Sequence, residues 1–154
     1  MIRKAELKDT DKICELLYQV HDVHAKGRPD IFIKGKKKFS DDEVREIIRG
    51  KGLTFFVYEK DDEVLGYACV QIQETEASAS RHGRRELYIE DICVDEKHRR
   101  EGVASMLFDY VVKLAKKKEC NCVTLNVWEL NEDARKFYEA KGMFPLKTIM
   151  EKIL

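Results

Sequence analysis

The longest regular pattern of apolar and polar positions in the chain runs from Glu86 to Ala115. Leu87, Tyr88, Ile89, Ile92, Cys93 and Val94 put apolar side chains on both faces of a predicted strand, Glu86–Val94, as a central strand covered on both sides requires. Polar residues Asp95–Glu101 follow as a turn carrying Lys97, His98, Arg99 and Arg100. From Gly102, residues Val103, Met106, Leu107, Tyr110, Val111 and Leu114 recur at helical period and give one apolar face. Glu90 and Asp91 break the strand in its middle. A buried carboxylate is costly unless paired or used, so this pair marks a candidate site.

The remaining elements follow in order. Ile2–Leu7 reads as a strand. Asp9 or Thr10 caps a helix whose apolar face is Ile13, Leu16, Leu17 and Val20. Residues Gly27–Phe39 form a loop. Ser40-Asp41-Asp42-Glu43 is a capping box opening a short helix with Val44, Ile47 and Ile48 inward, stopped at Gly50-Lys51-Gly52. Strands Leu53–Tyr58 and Val64–Gln73 make a hairpin across Lys60–Glu63, with Gly66 as a candidate bulge. A polar loop, Glu74–Arg85, leads to the central strand and its helix, which ends at Lys116-Lys117-Lys118. A strand at Cys122–Val127, a helix at Asn131–Lys141 with Asn131 as N-cap and Gly142 as stop, and a closing strand or strand pair in Phe144–Leu154 complete the chain. The expectation is an α/β fold, a single domain over 1–154 with one mixed sheet and helices on its faces.

Charge and cysteine content narrow the function. Lysine plus arginine and aspartate plus glutamate are each 29, so the net charge is zero, which argues against a general nucleic-acid binder. The run Lys36-Lys37-Lys38 reads as solvated. No run of apolar residues is long enough to span a membrane, and charges follow Met1-Ile2 where a signal peptide would be apolar, so the expected location is the cytoplasm. The five cysteines include no C-x-x-C, and Cys120 and Cys122 lack zinc spacing; they read as reduced thiols. Cys93 reads as a core residue rather than a nucleophile. His21, Asp22 and His24 are a poor ligand set, and no metal is expected.

The strand-to-helix junction carries the chemistry. A helix N-terminus offers backbone N–H groups without intrahelical partners and the positive end of the macrodipole. Gly102 allows close approach of a ligand, and Arg99 and Arg100 add charge. The pattern Arg99-x-x-Gly102-x-Ala104 is neither a dinucleotide nor a P-loop fingerprint. Taken alone, it fits a phosphate site and an ordinary turn with solvated arginines equally.

Arg99-Arg100-Glu101-Gly102-Val103-Ala104, behind a strand ending at Val94, resembles the acetyl-coenzyme A signature of the GNAT superfamily of N-acetyltransferases. The segment Asn126–Gly142 is similar to that superfamily's following strand and helix, with Asn131, Ala134, Tyr138 and Gly142 on pattern. The resemblance implies an open, mostly antiparallel sheet that splays to admit the pantetheine arm, which would lie along Ile92, Cys93 and Val94. It implies a pyrophosphate on Arg99, Arg100, Glu101, Gly102, Val103, Ala104 and Ser105, and a coenzyme contact from Asn131. It also implies a primary-amine acceptor, either a small amine or a peptide amine, and a homodimer by analogy.

Tyr138 matches the family tyrosine that protonates the leaving thiolate. The run Glu90-Asp91-x-x-Val94 is similar to that of diamine acetyltransferases, which makes Glu90 the candidate base. Asp91 is expected on the opposite face, because strand neighbours alternate, so that only one of the pair faces the acetyl group. An irregularity near Ile92 would re-aim side chains along the strand. Arg100 and Glu101 depart from the residues frequent at their positions, and Glu101 brings a negative charge toward a pyrophosphate. The alternative reading is a non-catalytic acyl-coenzyme A-binding module.

Overall fold

In the computed structural model, which describes residues 1–154, the elements run β1 (Ile2–Lys4), α1 (Thr10–Gly27), α2 (Asp41–Ile48), β2 (Thr54–Lys60), β3 (Glu63–Thr75), β4 (Arg84–Val94), α3 (Val103–Lys117), β5 (Cys122–Leu125) and α4 (Glu132–Ala140). The strands lie in sequence order in one sheet. All neighbours are antiparallel except β4 and β5, which are parallel. This is the mixed α/β sheet that the order of elements implied, and it is mostly antiparallel, as the resemblance implied.

The sheet is covered on both faces, and the two cores are distinct. Ile13, Leu16 and Leu17 of α1 and Val44 and Ile47 of α2 pack on Phe55, Val57, Tyr67, Cys69 and Cys93. Val103, Leu107, Phe108 and Val111 of α3 pack on Phe56, Ala68, Val70, Leu87 and Ile89, with Phe137 and Tyr138 of α4, and Met143 just beyond it, packed against that layer. Leu87, Ile89 and Cys93, all buried, put β4 against both layers.

Local chemistry accounts for most of the element ends. Ser40 Oγ accepts from the Glu43 N–H and Glu43 returns the bond to the Ser40 N–H, both at 3.1 Å, which closes the capping box at α2. Asp61 and Asp62 both take positive φ in the β2–β3 turn, the geometry a two-residue hairpin prefers. Asp9 departs from expectation. Its carboxylate does not cap α1 but accepts from Arg3, at 2.7 and 3.1 Å, and from the Glu6 N–H, tying β1 to the start of the helix.

The irregularity in the hairpin falls at Leu65, between the register pairs Tyr58–Gly66 and Glu59–Val64. Gly66 itself serves another purpose. A Cβ there would stand 2.8 Å from the Cys93 carbonyl oxygen and 3.3 Å from Val103 Cγ1, so glycine is what lets β3, β4 and α3 close together. Gly66→Ala is expected to destabilise the fold by about 1–3 kcal/mol, seen as a lower urea midpoint at unchanged m.

Residues 144–154 are the clear correction. They form no strand and hold an irregular, exposed course. Phe144, Leu146, Ile149, Met150, Ile153 and Leu154 are all at least 65% exposed. The alternation of apolar side chains suits a strand, but no strand of the same chain lies alongside to make the ladder.

Candidate active site at the splay of the sheet

β4 and β5 pair only from Glu86–Cys122 to Ile89–Leu125. Beyond those pairs the two strands part. The predicted end of β5 at Val127 is therefore two residues too long, because Asn126 and Val127 have left the ladder. Asp91–Val94 stay paired with β3 but have no strand partner on the β5 side, leaving unpaired backbone N–H and C=O groups along one wall of a cleft.

The bulge in β4 lies where the strands part. Val70 pairs with Ile89 and Cys69 with Asp91, so Glu90 is the extra residue. The side-chain alternation resets there. Leu87 and Ile89 face the α3 layer, whereas Cys93, two residues beyond Asp91, belongs to the α1 layer. An irregularity of the expected kind is present, two residues before Ile92. As a result Glu90 and Asp91 do not face opposite ways, and both act on one cation, the ammonium of Lys38.

Lys38 Nζ donates to Glu90 Oε1 at 3.1 Å. Burial opposes the Lys38 charge, but Asp91 and Glu90 outweigh it, so the pKa lies above the ordinary lysine value. Burial raises the Asp91 carboxyl to about 6, with Lys38 opposing the rise and Glu90 adding to it. Lys38 was not legible as a site residue. Nor is the lysine run simply solvated, since Lys37 bonds Asp41 at 2.8 Å and lies over the Tyr18 ring.

Tyr138 closes the cleft from α4. Its ring packs at 6.0 Å from Phe108 and 5.1 Å from Phe137. Burial, then the charge of Asp91, push its phenol above the ordinary value, so it stays protonated at neutral pH. Nothing in the chain accepts its proton. Cys93 is no nucleophile. Its thiol donates to the Leu16 carbonyl oxygen at 3.3 Å, and burial pushes its pKa up to about 12.

The other end of β4 leads into the basic turn. Asp95, 1% exposed, accepts from Lys12 of α1 and from the Lys97 N–H, and these bonds hold its carboxyl down at about 2 against the cost of burial. The turn is thus fastened to α1 before it reaches the helix. Arg100 and Gly102 both take positive φ, and Gly102 occupies the N-cap of α3 with no side chain capping it. The first N–H groups of α3, at Val103, Ala104 and Ser105, are therefore free for an anion. Arg99 and Arg100 are exposed beside them and make no ion pair. Glu101 is turned to His98 Nδ1, at 3.0 Å. These features fit the pyrophosphate and pantetheine of a coenzyme A.

Asn131 caps α4, its side-chain oxygen accepting from the Ala134 N–H at 3.2 Å. Above the splay, His24, Phe32 and Trp128 form an aromatic cluster, with Phe32 5.1 Å from His24 and 5.0 Å from Trp128. Burial lowers the His24 pKa, and His21 and Lys38 lower it further, so the cluster is neutral. His21 Nε2 lies 2.8 Å from the Ile33 carbonyl oxygen and Asp22 pairs with Lys26, so these three residues do not converge on a metal.

The sequence profile of the Acetyltransferase (GNAT) family matches residues 17–143. An uncharacterized N-acetyltransferase of Lactobacillus delbrueckii subsp. lactis, from the pepI 3′ region, is 26% identical over 108 residues. The match takes in 70% of this chain and 61% of that protein, so the chain spans about three-fifths of the length of this curated relative. The crystal structure of a mutant BH1408 protein from Bacillus halodurans superposes with a TM-score of 0.95 at 28% identity, over 100% of this chain and 99% of that one. Aminoglycoside N-acetyltransferase AAC(6′)-Iy in complex with CoA has the same fold, with a TM-score of 0.73 at 18% identity over 100% of this chain and 98% of that one.

Proposed function

Because the chain belongs to the Acetyltransferase (GNAT) family, we propose that it transfers the acetyl group of acetyl-coenzyme A to a primary amine by direct attack on the thioester. The observation that carries this reading is the pair Glu90 and Asp91 at the splay, holding a primary ammonium that belongs to the chain's own Lys38. An acceptor amine takes the position of that ammonium.

Acetyl-coenzyme A supplies an activated acyl carbon and a thiolate leaving group. The free N–H groups of Val103, Ala104 and Ser105, with Arg99 and Arg100, hold its pyrophosphate. The unpaired edge of Ile92, Cys93 and Val94 holds its amide-rich arm. Glu90 binds the acceptor ammonium. Asp91 takes the proton that the nitrogen must lose; a carboxylate near 6 is a better match to an amine of about 10.4 than an ordinary one near 3.9. As the N–C bond forms and the C–S bond breaks, Tyr138 gives its phenolic proton to the departing sulfur.

Two carboxylates on one ammonium, with Trp128 and Phe32 at the rim, favour a cationic acceptor such as a polyamine or a lysine-bearing peptide. The test is thiol release from acetyl-coenzyme A over a panel of monoamines, polyamines, aminoglycosides, and peptides with a lysine or a free N-terminus. Acceptor-dependent release is expected, fastest with acceptors that carry a second cation. Tight coenzyme binding without turnover on any amine would replace this reading with a non-catalytic acyl-coenzyme A-binding module.

A further inference from the structure

The lysine that occupies the carboxylate pair is placed there by its neighbours in sequence. On one side, Lys37 bonds Asp41 at 2.8 Å and lies over the Tyr18 ring. On the other, Phe39 packs against the layer built on α1 and α2, and Ser40 is fixed as the N-cap of α2. Lys38 lies between these anchors. Its Nζ stands 5.6 Å from the centroid of the Phe39 ring and 3.1 Å from Glu90 Oε1, where β4 and β5 part. No other lysine or arginine bonds Glu90 or Asp91.

The ion pair is a poor structural clamp. The Lys38 side chain is 45% exposed and makes one bond, and such a pair contributes little to stability. What the fold provides at this point is a primary amine, open to solvent, resting on the two carboxylates that would receive an acceptor.

Resting on the acetyl-transfer reading above, we propose that the chain acetylates its own Lys38 in cis, and that this frees the carboxylate pair for an external amine. Asp91 takes one proton from the Lys38 ammonium and passes it to solvent. The nitrogen lone pair forms the N–C bond to the thioester carbon as the C–S bond breaks. Tyr138 gives its proton to the sulfur and recovers the second proton from the nitrogen. The products are an acetamide at Lys38, coenzyme A as its thiol and one released proton. The carboxylates hold the proton on Lys38, which slows the step. Permanent placement of the nitrogen offsets this, because no second molecule has to be captured. An acetamide carries no charge, so afterwards Glu90 and Asp91 meet an incoming ammonium unopposed.

With saturating acetyl-coenzyme A and no acceptor, the native protein is expected to release one equivalent of thiol per chain and then stop. Peptide mass mapping is expected to place one acetyl group on Lys38 and none on Lys34 or Lys36, which are exposed on the same loop. The first-order rate is expected to be independent of protein concentration. Asp91→Asn is expected to slow it at least a hundredfold, and Lys38→Arg, whose guanidinium stays charged, to abolish it. The acetylated protein is then expected to turn over a monoamine with a KM at least tenfold below that of Lys38→Arg. Equal KM values would overturn the freeing of the pair. A rate proportional to protein concentration, a native rate in Asp91→Asn, or acetyl groups spread over the loop lysines would overturn acetylation in cis. So would turnover of an external amine with Lys38 unmodified, a result that leaves the acetyl-transfer reading standing. Coenzyme binding with neither thiol release nor turnover would remove both.

Discussion

Tyr138→Phe is expected to lower kcat at least a hundredfold and leave the affinity for coenzyme A unchanged. The ring stays in place in this variant, because its contacts with Phe108 and Phe137 are apolar. The hydroxyl has no hydrogen-bond partner in the chain, so its removal leaves no group unsatisfied. What is lost is the proton for the departing sulfur, and positioned acids contribute about 10²–10⁴ in rate. Calorimetric titration with coenzyme A, beside single-turnover rates, separates the two quantities. A variant with native kcat would remove Tyr138 from the chemistry and leave it as packing for the α3 layer.

Asp91→Asn is the second large effect, expected to cost kcat about 10²–10³-fold. Here the pH dependence is diagnostic. A base must be ionised to accept a proton, and Asp91 is ionised only above about 6. The native rate is therefore expected to rise with pH through about 6 and then level, and the variant to lack that limb. Stability moves the other way. A carboxyl whose pKa is raised by folding favours its protonated form in the native state. It costs nothing below the ordinary value near 3.9, and the cost is fully present above about 6. Asp91→Asn is therefore expected to stabilise the fold at neutral pH, on the order of 1–2 kcal/mol, while it abolishes most of the activity. Urea midpoints at pH 4 and pH 7 check this: the gap between variant and native opens only at the higher pH. A variant as active as the native protein would leave Glu90 as the base.

Much of this was legible in the residue pattern. Helix faces, the capping box at Ser40, the turn at Gly102 and the continuous apolar strand at β4 all follow from local periodicity, and the structure places them where the periodicity does. What was not legible depends on pairing between distant segments. The bulge at Glu90 exists because β3 and β4 slip by one residue between Cys69 and Val70, and no property of Glu90 alone announces it. The strand-by-strand alternation that sends Asp91 to the far face fails for that reason. Lys38 sits 52 residues from Glu90 in a loop whose composition suggests only solvation. Asp95 and Lys12, which anchor the basic turn to α1, are 83 residues apart. In residues 144–154 the apolar alternation suits a strand, but a strand is defined by its neighbour, and no strand of the chain lies alongside them.

In the proposed reaction, the Lys38 ammonium on Glu90 competes with the acceptor for the carboxylates. A group tethered on a short loop faces its binding position at an effective concentration of roughly millimolar, whatever the concentration of protein. A free monoamine offers the carboxylates nothing that Lys38 does not already give them, and it displaces the lysine only near that concentration. An acceptor with a second positive charge, or a hydrocarbon stem long enough to reach Trp128, gains contacts Lys38 cannot make and displaces it at far lower levels. If the proposed reaction holds, the loop that carries Lys38 sets an affinity threshold against small amines that fit the site without binding it well.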